Sequence, residues 1–412
     1  MSATQNRAPD KVLAPHGLFT AFIALACGGL FIGSGEFVSM SLLPDLAHTM
    51  SISIPDAGSY ISAYALGVVI GAPTIAILAA RWPRKTLLIA LLILFAGGYS
   101  LSAMAWSHQS LLVGRFIGGL PHGAYYGVAC LVAASMVADN KKAQAAGYVM
   151  AGLAAANVIG VPVATWIGQH LGWRATFWTL SAAGIATVLM FCIFLPAVKA
   201  DATASPKAEL SGLTRPLVWL TLATAAIGFG GMFAVYSYIT PTLTHVTGLN
   251  ISDVPKVLAL WGVGMVCGNV IGGKMADKNL IRTIFIIMIW NMVSLALFAV
   301  FAFSVVGTLI TLFMIGCGFA LVPALQVRLM EVAGDAQTLA AALNHSAFNI
   351  SNAIGASLGG LSIAYGFGWT STGWVACGLA ILGLLLMSIS MFYQKRQQVE
   401  SLTTEDNCRS SL

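Results

Sequence analysis

Glu36 and Arg115 are charged side chains set inside long apolar runs, and His122 follows Arg115 by about two helical turns. A guanidinium cannot be deprotonated, and holding one in the middle of a bilayer costs several kcal/mol. A chain tolerates that cost where the charge faces a bundle interior or a watery cavity with a partner. The surrounding stretch, LLVGRFIGGLPHGAYYG, carries Gly114, Gly118, Gly119 and Gly123, which remove bulk so that neighbouring helices approach closely. The alternative for Arg115 is a helix-end arginine that snorkels to the headgroups; apolar residues on both sides favour the interior placement. Glu36 is the one acid well inside any of the first six apolar runs. A carboxylate taken out of water holds its proton more tightly. If Glu36 meets water from alternate sides, its protonation is tied to conformation. The competing reading is a structural carboxylate paired permanently with Arg115 or another donor. Arg115 is then a fixed charge that tunes the acid, a receptor for an anionic substrate, or a packing residue. Histidine ordinarily titrates near neutrality, and His122 is either a second proton site or a hydrogen-bonded interior residue.

Other polar residues share this apolar setting. In LNHSAFNISNAIGASLGG, His345, Asn349 and Asn352 are spaced by four and three residues, on one helical face. Such a stripe faces another helix or a cavity, as helix glue or as substrate contact. Tyr60, Tyr64, Tyr236, Tyr238 and Trp261 offer aromatic surface with polar tips and are cavity-lining candidates, with Asn157 and Gln326 of the same kind; simple packing is the alternative for each. The cluster Arg81, Arg84 and Lys85, with Asp277 and Lys278 opposite, suits an inner-side gate built on charge pairs, and also serves topology. GNVIGGKM over 268–275 nearly spells a phosphate-binding loop, but Met275 replaces the required Ser or Thr and the setting is an apolar helix. Seven scattered cysteines show no CxxC or Cys/His spacing, so neither disulfide nor metal site is expected. No HExxH and no Ser/His pair with an orienting acid is spelled, so the chain does not read as an enzyme.

These residues need elements that cross a membrane. The chain has 412 residues, 58% hydrophobic and 8% charged, with a mean hydropathy of +0.86. Soluble domains carry about 25% charged residues, so the composition excludes that class. Twelve apolar stretches of roughly 20 residues, the length that spans hydrocarbon, fall near 18–41, 56–79, 85–106, 110–137, 143–168, 174–197, 216–239, 254–276, 281–303, 306–327, 338–366 and 370–393. The first is too long to read as a cleavable signal peptide. Of the basic residues, 17 lie in the tails and on one set of connections, 2 (Arg174 and Lys256) on the other, and Arg115 within the membrane. Both termini are therefore expected in the cytoplasm of a bacterial-type inner membrane. The +6 net charge follows topology and implies no nucleic-acid partner.

The second half of the chain repeats the first. YSYITPTLTHVTGLNISDV (236–254) parallels SMSLLPDLAHTMSISIPDA (39–57), pairing Pro44 with Pro241, His48 with His245 and Asp56 with Asp253. The offset of 197 (position 241 against 44) also pairs Tyr64 with Trp261, Gly67 with Gly264, Gly71 with Gly268 and Gly119 with Gly316. Two parallel six-helix halves (18–197 and 216–394), a loop at 198–215, and tails at 1–17 and 395–412 give an all-α integral membrane protein of twelve helices in two pseudo-symmetric bundles, the plan of a rocking secondary transporter.

On these residues the chain resembles the major facilitator superfamily, in particular the arabinose efflux permease-like branch of its drug:proton antiporter-1 group. The family's G-x-L-A-D-R-x-G-R-K motif is matched in AILAARWPRK by Leu78, Ala79, Arg81, Arg84 and Lys85, with Ala76, Ala80 and Pro83 as departures. Its missing acid stands at the repeat position, Asp277. Arg115 and Gly119 match R-x-x-Q-G, with Gly118 in place of glutamine, and Gly152, Gly160, Pro162 and Gly168 match part of the antiporter motif. The resemblance implies the major facilitator fold and a monomer. It also implies proton-coupled export by alternating access, driven by the proton motive force without a cofactor. The expected cargo is a small solute such as a sugar, a purine-type metabolite or a drug. A proton-driven importer or uniporter is the nearest alternative; a non-transporting membrane sensor would need a signalling domain that the short tails do not offer.

Overall fold

The computed structural model describes residues 15–79, 82–138, 142–197, 214–276, 278–334 and 337–410, and among these every regular element is helical. The expected gate residues Arg81 and Asp277 lie outside the described residues.

Twelve long helical segments follow the apolar stretches. In the first half they are α1 (Pro15–Ser41), α2 (Ser59–Leu78), α3 (Arg84–Ala103), α4 (His108–Ser135), α5 (Lys142–Ala155, then Ala156–Gly160 and Val161–Leu171) and α6 (Trp173–Phe194). The second half holds α7 (Pro216–Ser237), α8 (Val254–Ala276), α9 (Leu280–Phe301), α10 (Val305–Ala333), α11 (Gln337–Ala364) and α12 (Ser371–Ser410). Eleven are apolar and long enough over their described residues to cross a membrane; α11, 28 residues long, completes the set. Their lipid-side surface is apolar, with Ile70, Leu189, Ile271, Ile310 and Leu385 exposed, as hydrocarbon requires.

Two ends differ from the expected boundaries. α10 runs to Ala333, six residues past the apolar stretch, because Arg328 turns inward: it is buried, donates from Nη2 to Oε1 of Gln394 on α12 at 2.5 Å, and lies 3.8 Å from Glu331. Arg328 is thus a packing residue between α10 and α12 rather than a boundary charge. α12 continues through the sequence expected to be a tail, supported there by the Arg396–Glu400 pair one turn apart at 2.9 Å.

The internal repeat appears in the packing. A Cβ at Gly67 on α2 would collide with the carbonyl of Phe116 on α4, and one at Gly264 on α8 with the carbonyl of Phe313 on α10. Gly71 meets Leu120 and Gly268 meets Cys317 in the same way, while Gly119 and Gly316 meet the carbonyls of Tyr64 and Trp261. Each of these contacts recurs at the offset of 197 read from the sequence. Bare backbone against backbone is the close-packing device of membrane helices, where no hydrophobic drive separates helix from lipid.

The halves meet along a seam on the face of the α1–α2 and α7–α8 connections, here called the far face. There the Thr240 hydroxyl donates to the Ser41 carbonyl at 2.7 Å, Gln169 Nε2 to the Ile251 carbonyl at 2.9 Å, and the Ser62 and Ser357 hydroxyls lie 3.3 Å apart. The Tyr238 hydroxyl donates to the Ala356 carbonyl at 2.7 Å, and Gly58 of the opposite half leaves room for its tip.

Candidate functional site

Local breaks in two helices, α4 and α5, aim the site residues. α4 is interrupted at Leu120–Pro121, where proline supplies no N–H to the helix ladder, and His122 opens the new segment. Tyr125 and Tyr126 then anchor this segment to α1, their hydroxyls donating to the carbonyls of Leu25 at 2.7 Å and Gly29 at 2.6 Å. α5 carries a π-helical turn at Ala156–Gly160, the kind of insertion that marks functional sites. Gly152 and Gly160 let α5 lie directly on α1, against the Ala26 carbonyl and the Ser34 hydroxyl, and Pro162 opens the following α segment. α1 is thereby clamped between α4 and α5, which fixes Glu36.

Glu36 is buried, 6% exposed, at the seam between the halves. Its Oε1 accepts from Nδ2 of Asn352 on α11 at 3.4 Å, and its Oε2 lies 3.6 Å from Nε2 of His122 on α4. Nδ1 of His122 is 3.0 Å from the Tyr64 hydroxyl on α2. With Tyr64 donating to Nδ1, the neutral ring carries its proton on Nε2, toward the carboxylate. His345 of α11 completes the cluster: its ring stacks on Tyr126 at 5.6 Å and stands 6.4 Å from that of His122.

Arg115 does not pair directly with Glu36. Its Nη1 donates to the Gly35 carbonyl at 3.3 Å and to the Tyr99 hydroxyl at 3.0 Å. The guanidinium lies over the rings of Tyr64 at 4.5 Å, Tyr99 at 5.6 Å and Phe177 at 5.8 Å. Desolvated cation–π contacts are worth about 2 kcal/mol each, so aromatic faces offset much of the burial cost of the guanidinium. Nε and Nη2 remain buried without a hydrogen-bond partner. The cage encloses Arg115, 1% exposed, which favours a fixed charge over a docking point for substrate. Tyr99 and Phe177 were not foreseen, because neither differs by type or spacing from ordinary core aromatics.

The aromatic candidates separate. Tyr236 and Trp261 lie 4.7 Å apart, and Tyr236 meets Phe37 of the other half edge-on at 5.7 Å; with Phe233, 6.3 Å from Phe37, they form a wall beside Glu36. The Trp261 Nε1 and the amide oxygens of Asn349 and Asn352 are buried without partners. Asn349 Nδ2 donates to the His345 carbonyl one turn back. Tyr64 belongs to the charged cluster, whereas Tyr238 is a peg in the far-face seam. Tyr60 reaches away from Glu36, its hydroxyl 2.8 Å from Nδ1 of His108 beside a cavity of about 530 Å³ at the far face. Asn157 sits in the π turn, bonded to the Leu153 carbonyl at 3.0 Å, and its own carbonyl closes on Gly262 of α8. Gln326 is half-buried on α10, away from these contacts.

Of the described gate residues, Lys85 caps the end of α6, Nζ donating to the carbonyls of Cys192 at 3.0 Å and Leu195 at 2.6 Å. That places its charge on a helix C-terminus, where a cation is favoured, within its own half. Arg84 is half-buried and Lys278 exposed. Among the described residues no group of three His, Cys, Asp or Glu gathers to hold a metal.

The model of the Major Facilitator Superfamily matches residues 25–345. The inner membrane transport protein YdhP of Escherichia coli (strain K12) is 39% identical over 379 residues, covering 91% of this chain and 96% of that one. A chloramphenicol resistance protein of Streptomyces lividans is 28% identical over 369 residues, covering 88% and 94%. A crystal structure of a bacterial homologue of the human lysosomal transporter Spinster superposes with a TM-score of 0.70 at 15% identity, covering 90% of this chain and 96% of that one, a likeness of fold. With a buried carboxylate at the junction of two repeated bundles and these matches along its length, the chain belongs to the major facilitator superfamily, as a multi-pass membrane transporter.

Proposed function

We propose that the protein is a proton-coupled exporter, exchanging a small solute for protons by alternating access, with Glu36 as the proton carrier. The observation that carries this reading is the position of Glu36: one buried carboxylate touches His122 of the first half and Asn352 of the second. A group at that junction changes what each half binds when it gains or loses a proton, which is the requirement for coupling. The proton motive force is the energy source, and no bound cofactor takes part. One proton crossing about 100 mV supplies roughly 2.3 kcal/mol, enough for about a fifty-fold solute gradient.

The basic face is cytoplasmic in this reading, with both termini on it, and the transporter works as a monomer. Arg115 holds a constant positive charge beside the carboxylate, and Tyr64 orients His122. The solute meets the wall of Tyr236, Trp261 and Phe37. The unpartnered Trp261 donor and the Asn349 acceptor suit an amphipathic molecule bearing both hydrogen-bond acceptors and donors. The name of the Streptomyces relative supports export of a drug-like solute, and sugars and purine-type metabolites fit the same chemistry.

The test is a proteoliposome with an imposed pH gradient and an internal pH dye, screened with sugars, nucleosides and amphenicol or cationic drugs. Solute-evoked proton movement in the wild type, lost in Glu36→Gln with binding kept, is the expected result. Full coupling in the variant would remove Glu36 from the mechanism; downhill flux without proton movement would make the protein a uniporter.

A further inference from the structure

Asn352 meets Glu36 with half of its amide. Nδ2 donates to Oε1 across the seam, while Oδ1 is buried with no partner. A buried unmade acceptor is costly, and it becomes satisfied when a donor arrives within reach. A protonated carboxyl supplies that donor: its O–H bonds to Oδ1 while Nδ2 still donates to the carboxyl carbonyl, giving a cyclic acid–amide pair with every polar atom used. The ionised carboxylate accepts from Nδ2 and leaves Oδ1 unpaired.

Resting on Glu36 as the proton carrier, we propose that Asn352 is the positioning residue that reads its proton from the opposite half. Protonation latches α11 to α1 and holds the far-face seam closed, and deprotonation releases it. The proton enters from the far side, closes the seam by completing the pair, and on leaving to the basic face frees the halves to reopen. The other titratable or charged groups facing Glu36 keep to their own roles. Arg115, His122 and Tyr126 come from α4, Tyr64 from α2, Tyr99 from α3 and Tyr236 from α7, with His345 of α11 behind His122. Apart from Tyr236 and His345 they ride on the same half as Glu36, and among the described residues Asn352 alone hydrogen-bonds the carboxylate across the seam.

Hydrogen–deuterium exchange of the full chain in lipid nanodiscs tests this, read on the seam segments 42–58 and 238–253 after correction for the intrinsic pH dependence of amide exchange. In the wild type the seam exchanges about fivefold more slowly at low pH than at high pH, the size of one net hydrogen bond. Asn352→Leu removes the pH response although Glu36 is intact, and Asn352→Gln, which keeps the amide, restores part of it. Asn352→Ser, too short to span the contact, gives the same flat profile should the leucine variant fail to accumulate. A wild-type pH response in Asn352→Leu or Asn352→Ser overturns the role of Asn352. A pH response retained in Glu36→Gln instead overturns Glu36 as the carrier.

Discussion

Asn352 Nδ2 stands 3.4 Å from Glu36 Oε1, and the two residues are brought together by the packing of separate halves rather than by any local element. The bond therefore exists only while the halves are closed on one another near the membrane centre.

Tyr64 and Tyr60 sit one turn apart on α2 but serve different histidines. Tyr64→Phe removes the donor to His122 Nδ1 and frees the ring to adopt the other tautomer. Proton-coupled flux should fall roughly fivefold, the weight of one hydrogen bond. Tyr60→Phe alters only the His108 contact and should leave coupling unchanged. Initial rates of internal alkalinisation or acidification in proteoliposomes compare the two.

Arg115 is held by flat faces as much as by hydrogen bonds, so charge alone does not replace it. Arg115→Lys keeps the cation but cannot stack on Tyr64 or reach Gly35 and Tyr99 in one geometry. A stability loss of about 2–3 kcal/mol is expected, read as a lower midpoint of thermal unfolding in detergent. An unchanged midpoint would show that the aromatic cage contributes little.

Glycine contacts repeated at the offset of 197 should respond alike. Gly71→Ala and Gly268→Ala each force a methyl into a backbone carbonyl, and overpacking of that kind costs about 1–3 kcal/mol. Gly97, with open space at its Cβ position, is the control: Gly97→Ala should be neutral or gain up to about 1 kcal/mol of helix propensity. Thermal midpoints of the three variants decide it.

Across the far-face seam, Thr240→Val deletes the hydrogen bond to the Ser41 carbonyl without changing side-chain shape. Removing a net contribution of about 1 kcal/mol should shift the open-to-closed ratio roughly fivefold toward opening at the far face. Labelling of single cysteines placed at His48 and Asn250, both exposed beside the seam, measures the change.

Much of this architecture was legible because hydrocarbon makes polar residues conspicuous. Glu36, Arg115 and His122 stand out of the sequence for that reason, and the Pro44/Pro241 register marks the repeat. The pairing within the site was not legible. A permanent Arg115–Glu36 pair was only the competing reading, and nothing in the sequence points to the faces of Tyr64, Tyr99 and Phe177 that enclose Arg115, because their stacking depends on how four helices cross. Tyr60 and Tyr64 looked equivalent because one helical turn separates them, but that turn carries Tyr60 toward His108 and away from Glu36. The inward turn of Arg328 escaped notice because a basic residue after an apolar run reads as a boundary charge, and only its placement against Gln394 on α12 distinguishes the two cases.

The register of 197 that aligns the packing glycines sets Phe233 opposite Glu36 and Leu312 opposite Arg115. Twin scaffolds thus carry unlike contents: Glu36, Arg115 and His122 belong to the first half, Phe233, Tyr236 and Trp261 to the second. On the proposed reading, such a division of labour would leave cargo and energy source free to diversify separately. If the proposed exporter reading holds, exchanges at Phe233 or Trp261 would reshape what is carried and leave Glu36 and His122 of the other half untouched.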